Sequence, residues 1–381
     1  MAELQWPDAD RRKLIGSRMT RLDGPVKATG AAKYAYDMNR PDMLYAKIFQ
    51  AAPASARILN IDTSEAEKMP GVEAIVIDRS RRGEVAEVNY QGMVILALAA
   101  RSEELALEAL KKIKVSYEIA EPVMDDHDPS LASGREQLKE QGDAAAGFAE
   151  ADTISEGYYG AAQITHCCLE AHGQVSEFRD GELYIWPSTQ SVSGYAGTVS
   201  RGAEVPTENI HVDCQYMGGG FGSKFASDKW GVLAAKLSKM TGKPVKLMLE
   251  RDQELKVAGH RPSAFAKVKV GVKKDGTITA WESDCWGSGG MQRWRMPPLP
   301  YVFKDIPNYK TRGRGIITNK GLTRAWRGPN HPQGALITMS ALDDAAAAIG
   351  MDPMSFFKKN LHLTSLPEVY AEEFELAAEM I

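Results

Sequence analysis

The sequence predicts a mixed α/β (α+β) fold made of two domains. A chain of 381 residues with 44% hydrophobic composition is long enough to build more than one core. Short apolar runs typical of strands alternate with amphipathic segments typical of helices. We expect domains at residues 1–130 and 151–381. The stretch 131–150 is rich in glycine, alanine and polar residues and is expected to be a linker.

Two helix-then-strand units indicate a compact N-terminal domain. The first unit starts at Ser64, a candidate N-cap, breaks at Met69-Pro70-Gly71 and continues as a strand over 72–77. The second unit starts at the candidate cap Ser102 and ends in a strand over 114–117. Repetition of this plan within a short stretch favours a compact α/β domain.

The second predicted domain contains most of the longer elements. In chain order they are strands over 182–186 and 210–214, a helix capped by Asp228 and ended at Thr241-Gly242, a strand over 245–249, a hairpin over 266–281 with its turn at Lys274-Asp275-Gly276, a helix over 334–349, and a helix opened by Asp352-Pro353.

Composition excludes several classes of protein. The net charge is −4 with a pI of about 6.1, and the basic residues form no block, so nucleic-acid binding is not expected. The N-terminus lacks an apolar segment, and no run of about 18 apolar residues occurs, so neither an export signal nor membrane insertion is predicted. The four cysteines contain no CxxC pair, and we expect them to be buried free thiols.

The segment with most chemical information is residues 217–224, Met-Gly-Gly-Gly-Phe-Gly-Ser-Lys, between a predicted strand and a predicted helix. Glycine is favoured where φ is positive or where a Cβ would collide with a neighbour. Successive backbone N–H groups ahead of a helix can also form an anion-binding nest. Taken alone, the octet fits a cofactor contact and an ordinary tight turn equally well.

Further motifs follow a recognisable order along the chain. They are Arg21-Leu-Asp-Gly-Pro-Val-Lys27 with Thr29-Gly30-Ala-Ala-Lys-Tyr34, His166 with Leu169-Glu170, Ser188-Thr189-Gln190, the octet 217–224, and Arg324-Ala-Trp-Arg-Gly328 with Pro332-Gln333. In this order and spacing they resemble the molybdenum-binding large subunit of the xanthine dehydrogenase and aldehyde oxidoreductase family, the molybdenum hydroxylases. The resemblance runs from about Ile15 to the last residue. It implies an N-terminal α/β hammerhead domain followed by the first molybdopterin-binding domain.

The resemblance implies a molybdenum–molybdopterin cofactor, with the cytosine dinucleotide as one form that it leaves open. The implied cofactor-binding residues are Gln190, Gly219, Gly220, Phe221, Gly222 and Arg327, and no residue of this chain is expected to bind the metal directly. In the family the glutamine amide and the N–H of the loop phenylalanine lie beside the metal. On its own, Gln190 also fits a turn glutamine that faces solvent.

Arg327 corresponds to an arginine that in several family members orients the substrate and stabilises the developing anion, so it is the candidate catalytic residue. A fixed, forked cation suits that task. A structural arginine that binds loop carbonyls is the alternative.

Two positions imply the substrate class. Phe225 stands where purine-oxidising members have a glutamate, so the resemblance implies a pocket for aldehydes or apolar aromatic substrates rather than for purines. Trp326 either lines this pocket or packs in the core.

The resemblance also implies partners. Family large subunits are about twice as long, and their general-base glutamate lies in a Gly-x-Gly-Glu element that does not occur here, since Gly83-Glu84 and Gly181-Glu182 lack its pattern. We expect a second chain to supply this glutamate. Separate subunits are expected to hold [2Fe–2S] clusters and FAD, because no cysteine cluster or dinucleotide fingerprint is present.

A cytoplasmic location is expected, with the periplasm open through a partner's export signal. A non-catalytic scaffold subunit or a truncated, inactive paralogue is the alternative hypothesis. Retention of Gln190, Phe221 and Arg327 together favours the enzyme component.

Overall fold

The structure is a computed structural model that describes residues 6–78 and 87–380. The first residues of the first predicted domain, the last residue of the second and the pair Gly83-Glu84 lie outside the described residues.

The strands are β1 Leu44–Gln50, β2 Ala56–Asp62, β3 Val72–Ile77, β4 Glu87–Val88, β5 Val94–Ala100, β6 Lys114–Ile119, β7 Gln137–Gln141, β8 Thr153–Ala161, β9 Ile164–Thr165, β10 Gly173–Arg179, β11 Glu182–Pro187, β12 Ile210–Val212, β13 Val245–Met248, β14 His260–Arg261, β15 Ala264–Val272, β16 Ile278–Ser288 and β17 Tyr309–Ile316. The helices are α1 Gly24–Ala28, α2 Ser64–Glu67, α3 Glu103–Leu110, α4 Ala144–Ala149, α5 Val192–Ala203, α6 Asp228–Thr241, α7 Arg251–Val257, α8 His331–Ala348, α9 Pro353–Lys359 and α10 Pro367–Met380.

One mixed sheet connects the two predicted domains. Within the described ranges it has seven strands in the order β12-β11-β10-β13-β1-β5-β3. The junction is the parallel pair of β1 with β13, in which Leu44 lies opposite Val245. Strand β5 is buried along its whole length, as expected for a central strand covered on both faces. Strands β1, β3 and β5 are therefore continuous with the sheet that carries the glycine loop, whereas β4, β2 and β6 form a separate three-stranded sheet in the described residues.

A second sheet, of five strands in the described part of the chain, follows the order β7-β17-β16-β15-β8. Helix α8 packs on one of its faces through an apolar cluster that includes Val268, Trp281, Ile337 and Leu342. The hairpin of β15 and β16 has its turn at Lys274-Asp275-Gly276, as predicted. Two segments at the candidate site adjoin this sheet in the chain. Strand β14 directly precedes β15, and the segment 324–327 follows β17.

The stretch 131–150 differs from the expected linker. It contains β7, which pairs with β17 at the edge of the five-stranded sheet, and α4, whose N-cap Asp143 accepts from the Ala146 N–H. Four of the five residues of β7 are exposed, because an edge strand can carry Lys, Glu and Gln on its open side. That polar composition is what resembled a linker in the sequence.

Several predicted helix boundaries are confirmed. Ser102 caps α3 by accepting from the Leu105 N–H, and Gly242 ends α6 in the left-handed conformation with φ +65°. The prediction that Asp228 caps α6 is wrong. Its carboxylate binds Arg324 instead, and Asp228 itself has φ +56°.

Helix α8 is the longest apolar helix and lies largely against the core. No single helix in the described ranges is long and apolar enough to cross a membrane. The only combination that passes by length and composition among these residues is α8 with α9, and that pair is bent by 109°.

Candidate functional site

The glycine loop lies between β12 and α6, where the seven-stranded sheet ends. Its backbone has positive φ at Gly219 (+101°), Phe221 (+51°) and Gly222 (+109°). The N–H groups of Gly219, Gly220 and Phe221 have no acceptor among the described residues. The loop therefore presents consecutive unpaired backbone donors, which is the geometry of an anion-binding nest.

Gln190 follows β11 and lies directly against this loop. Its Oε1 accepts from the N–H of Gly222 at 2.9 Å and from that of Lys224 at 3.3 Å. A Cβ built at Gly220 would lie 2.5 Å from the same oxygen, so the amide approaches as closely as it does only because Gly220 has no side chain. The Nε2 group donates to no described residue. Gln190 is half-buried against the loop, which disfavours the alternative of a turn glutamine facing solvent.

Glu170 joins three segments at the back of the loop. One carboxylate oxygen accepts from the Ala35 N–H at 3.0 Å, and the other accepts from the Ser188 hydroxyl at 2.8 Å and the Gly218 N–H at 2.6 Å. The side chain is only 6% exposed. A buried carboxylate that accepts several hydrogen bonds fixes its partners relative to one another, so the N-terminal region, the Ser188-Thr189-Gln190 turn and the loop are held as one unit.

Lys224 ends the octet as a buried cation. Its ammonium donates to the backbone oxygen of Glu170 at 2.7 Å and to the Ser188 hydroxyl at 2.6 Å. Burial lowers the pKa of Lys224, while the Glu170 carboxylate, 3.9 Å away, acts in the opposite direction. The side chain points into the protein and is fully buried, so it takes part in supporting the loop rather than in meeting a ligand.

The segment 324–327 runs alongside the loop and contacts three consecutive residues of it. The Arg327 N–H donates to the oxygen of Phe221 at 2.8 Å, and the Arg324 guanidinium donates to the oxygen of Ser223 at 3.0 Å. Between them, a Cβ at Gly222 would lie 2.2 Å from the Ala325 oxygen. Two motifs about 100 residues apart thus form one continuous wall.

Two hydrogen-bonded side-chain pairs, one partly buried and one buried, support this wall. Arg324 binds the Asp228 carboxylate through two hydrogen bonds, one of them 2.8 Å long. His172 binds Glu254, with 2.9 Å between its Nδ1 and the carboxylate, and its Nε2 lies 3.4 Å from the oxygen of Ser223. Although burial acts to raise it, the pKa of Glu254 is lowered, because hydrogen bonds from His172 stabilise the carboxylate.

The candidate catalytic and substrate residues lie at the outer edge of the wall. The Arg327 side chain is exposed, and its guanidinium has no hydrogen-bond or ion-pair partner in the described ranges. Phe225 is 51% exposed. Trp326 is half-buried, with the Arg261 guanidinium 5.0 Å and the His166 ring 4.9 Å from its ring centroid. It therefore packs within the wall, and no aromatic contact joins it to Phe225 among the described residues.

Several residues that shape the site were not predicted from the sequence. Arg261, His172, Glu254 and Asp228 all support the loop or the segment beside it. Three of these are charged side chains that are largely buried. The sequence does show each charged residue on or next to an apolar stretch typical of a strand or helix, which indicates burial. It does not show which distant residue will bind that charge.

The described residues contain no cluster of three or more His, Cys, Asp or Glu side chains that could hold a metal ion. The cysteines are free thiols, as expected, but only Cys168 and Cys285 are buried. Cys214 is half-buried and Cys167 is exposed, which corrects the expectation of uniform burial. Burial raises the pKa of the Cys168 thiol, 3.8 Å from the Ser223 hydroxyl.

Comparison with known proteins identifies the family. The molybdopterin cofactor-binding domain matches residues 126–361, and the a/b hammerhead domain of aldehyde oxidase and xanthine dehydrogenase matches residues 29–82. The chain belongs to the aldehyde oxidase and xanthine dehydrogenase family of molybdopterin-binding proteins. The predicted order, a hammerhead domain followed by a molybdopterin-binding domain, is confirmed.

Aldehyde oxidase 2 of Rattus norvegicus is 31% identical over 94% of this chain, which spans only 29% of that protein. The large molybdopterin subunit of nicotinate dehydrogenase from Eubacterium barkeri is 28% identical over 92% of this chain and is matched over 90% of its own length. Among solved structures, aldehyde oxidoreductase from Desulfovibrio gigas has a TM-score of 0.76 at 27% identity, covering 90% of this chain and 43% of that one.

Proposed function

We propose that this chain is the molybdenum-cofactor-binding component of a multi-subunit hydroxylase that oxidises aldehydes or apolar aromatic substrates with water as the oxygen source. The observation that carries the proposal is the donor set of the glycine loop. Three consecutive backbone N–H groups at 219–221 and the Nε2 of Gln190 have no acceptor in the described part of the chain. A pterin-held molybdenum centre with oxo and sulfido ligands needs donors of this kind.

The residues present fit such a cofactor. The Gln190 carbonyl oxygen is occupied by the loop, so the amide has only its N–H₂ group left to offer outward. The loop is supported by Glu170 and Lys224, so its donors are oriented before any ligand arrives. When bound, the cofactor would supply the two-electron oxidation and the activation of water. The loop and Gln190 would hold it, and Arg327 would orient the substrate beside it.

A second chain supplies the general-base glutamate in this proposal. Support comes from the nicotinate dehydrogenase relative, whose large molybdopterin subunit is matched over 90% of its length and is, by its name, one subunit among several. By the same reasoning, we propose that [2Fe–2S] and flavin subunits carry electrons away. Four scattered cysteines do not form a cluster-binding set in the described residues.

The cofactor assignment is tested by the metal content of Gln190→Ala. Loss of the side-chain donor is expected to lower molybdenum occupancy of the purified complex severalfold, because the metal ligands lose one of few protein contacts. Gln91→Ala is the matched control, since Gln91 is exposed and, among the described residues, its side chain bonds only to the backbone oxygen of Ala52. Phe221→Pro, which deletes one nest N–H, should act like Gln190→Ala. Full molybdenum content in both site variants would refute the assignment.

The substrate class is tested by steady-state kinetics on the complex, with benzaldehyde-like and purine substrates side by side. We expect turnover of aldehydes, and Arg327→Met should reduce kcat more than it raises KM, by roughly tenfold to a thousandfold, because a donor to developing charge is lost. Arg314→Met is the control, since Arg314 pairs with Asp284 on the five-stranded sheet. Faster turnover of xanthine than of every aldehyde would contradict the substrate class but not the cofactor assignment.

A further inference from the structure

Beside the candidate site, Arg261 and His166 bind the segment 325–328. His166 contacts the backbone oxygen before Trp326, and Arg261 contacts the two backbone oxygens after it. Arg261 ends β14, and His166 follows β9, the strand with which β14 pairs. The Arg261 guanidinium lies 5.0 Å and the His166 ring 4.9 Å from the centre of the Trp326 ring. Both contacts are attractive, so together they favour one orientation of Trp326.

Arg261 binds backbone oxygens rather than a carboxylate. Its guanidinium donates to the oxygen of Arg327 at 3.1 Å, to that of Gly328 at 3.4 Å and to the Gln333 side chain at 3.3 Å. Only 7% of the residue is exposed, and burial lowers its pKa. Among the described residues Arg261 has no anionic partner, and burial of an unpaired charge is costly. An arginine at this position is therefore explained by the several donors that its planar guanidinium holds in fixed directions.

His166 contacts the same segment at Ala325. Its Nε2 lies 2.8 Å from the oxygen of Ala325, and its Nδ1 lies 3.2 Å from the oxygen of Gly259. A neutral imidazole donates to only one of two carbonyls, and we assign the donor to the shorter contact, at Ala325. That oxygen is the one that meets Gly222 of the loop.

The segment held by Arg261 and His166 contacts the glycine loop at two points. Arg327, whose oxygen Arg261 holds, donates its N–H to Phe221, and Ala325, whose oxygen His166 holds, fills the space left by the missing side chain of Gly222. We propose that Arg261 and His166 are positioning residues that set the backbone geometry of Phe221 and Gly222. What the loop is positioned for rests on the proposed function, but the positioning itself does not.

Amide hydrogen exchange of this chain in the purified complex tests the proposal without any need for turnover. Arg261→Met should raise the exchange rates of the Arg327 and Gly222 amides by on the order of tenfold, because the segment that closes over the loop loses its anchor. Arg261→Lys keeps a charge but not the fork, and should give a smaller increase at the same two amides. His166→Phe keeps a ring on Trp326 but no donor, and should act mainly at Gly222.

Arg314→Met serves as the matched control, because it removes a partly buried arginine from the remote sheet and should leave both amides unchanged. Unchanged exchange at Arg327 and Gly222 in Arg261→Met overturns the proposal. Should that variant not fold, Arg261→Lys carries the test, and unchanged exchange there overturns the proposal equally.

The exchange result is distinguishable from failure of the proposed function. Faster exchange in Arg261→Met combined with full molybdenum content in Gln190→Ala would support the positioning role while refuting the cofactor assignment. Where the cofactor assignment holds, Arg261→Met is also expected to lower kcat with little change in KM, since the substrate-facing guanidinium of Arg327 is retained but displaced.

Discussion

At the scale of single residues, the candidate site depends on glycines, which have no side chain, as much as on its polar side chains. Gly218, Gly220 and Gly222 each lie where a Cβ would come within 2.5 Å of another residue, namely Glu170, Gln190 and Ala325. Phe221, the one large residue among them, has φ +51°, which costs roughly 1–2 kcal/mol for a residue with a side chain. The loop is therefore strained at one position and held in place by its neighbours.

Gly222→Ala is expected to destabilise the protein by about 2–5 kcal/mol, combining the unfavourable φ of +109° with a collision against the Ala325 oxygen. Gly181→Ala is the matched control, because Gly181 has φ +83° but nothing within 4 Å of its Cβ position, and it should cost only about 1–2 kcal/mol. Urea unfolding of the two variants in the co-expressed complex measures the difference. Equal losses of stability would show that the contact with Ala325 is unimportant.

At the scale of elements, short pieces of secondary structure do the positioning. Strands β9 and β14 have two residues each, yet one directs His166 and the other Arg261 towards Trp326. Helix α7, which precedes β14, carries Glu254, and Glu254 orients His172. These elements are too short to show a periodic pattern, so they were not predicted, whereas the long hairpin of β15 and β16 was. Elements that frame the candidate site are thus the ones that sequence patterns detect least well.

His260 in β14 makes stability depend on pH. Burial lowers its pKa from the ordinary 6.5 to about 4, and its Nε2 has no partner among the described residues. Between these values the unfolded chain binds a proton that the folded chain does not, so the free energy of unfolding falls as the pH decreases from 6.5 towards 4, by on the order of 3 kcal/mol. His166, Lys320 and Asp126 face His260 and are unchanged in the variant below.

The variant His260→Asn should therefore lose less stability than the wild type between pH 6.5 and 4. His362→Asn, at an exposed position, should follow the wild-type curve. Urea unfolding of the co-expressed complex at pH 7.5, 6 and 5 provides the comparison. An acid dependence in His260→Asn as steep as that of the wild type would contradict the prediction.

At the scale of the whole molecule, apolar side chains are exposed around the loop. Leu169 is 93%, Phe225 51% and Phe221 42% exposed. Large exposed apolar groups beside a candidate site are typical of a surface that another molecule covers. The proposed second chain, which would complete the cofactor site, would cover this one.

We expect the chain expressed alone to aggregate, and co-expression with the second chain to give a monodisperse complex, since apolar surface is then removed from water. Leu169→Lys should improve the behaviour of the isolated chain and weaken co-purification. Leu59→Lys, at an exposed leucine of the N-terminal region, is the control and should do neither. Light scattering and co-purification measure both effects. A cooperatively melting monomer in isolation would count against the split arrangement.

The sequence by itself determined the fold class, the order of the two domains and the neighbourhood of Gln190 and the glycine loop. These were accessible because they depend on local patterns, such as glycine positions, caps and apolar periodicity, and on motifs whose order resembles a family. The roles of Gln190, Phe221 and Arg327 stay proposals, although the structure brings their segments together.

Tertiary structure alone decided which distant segments meet. The pairing of β1 with β13 joins residues about 200 positions apart, and the wall beside the loop joins Phe221 to Arg327. The same packing turned Asp228 from a predicted cap into the partner of Arg324, placed β7 in a sheet, and assigned Arg261 to Trp326. Such contacts depend on burial and on complementary hydrogen bonding between remote groups, and a buried charge in a sequence carries no mark of the partner that will satisfy it.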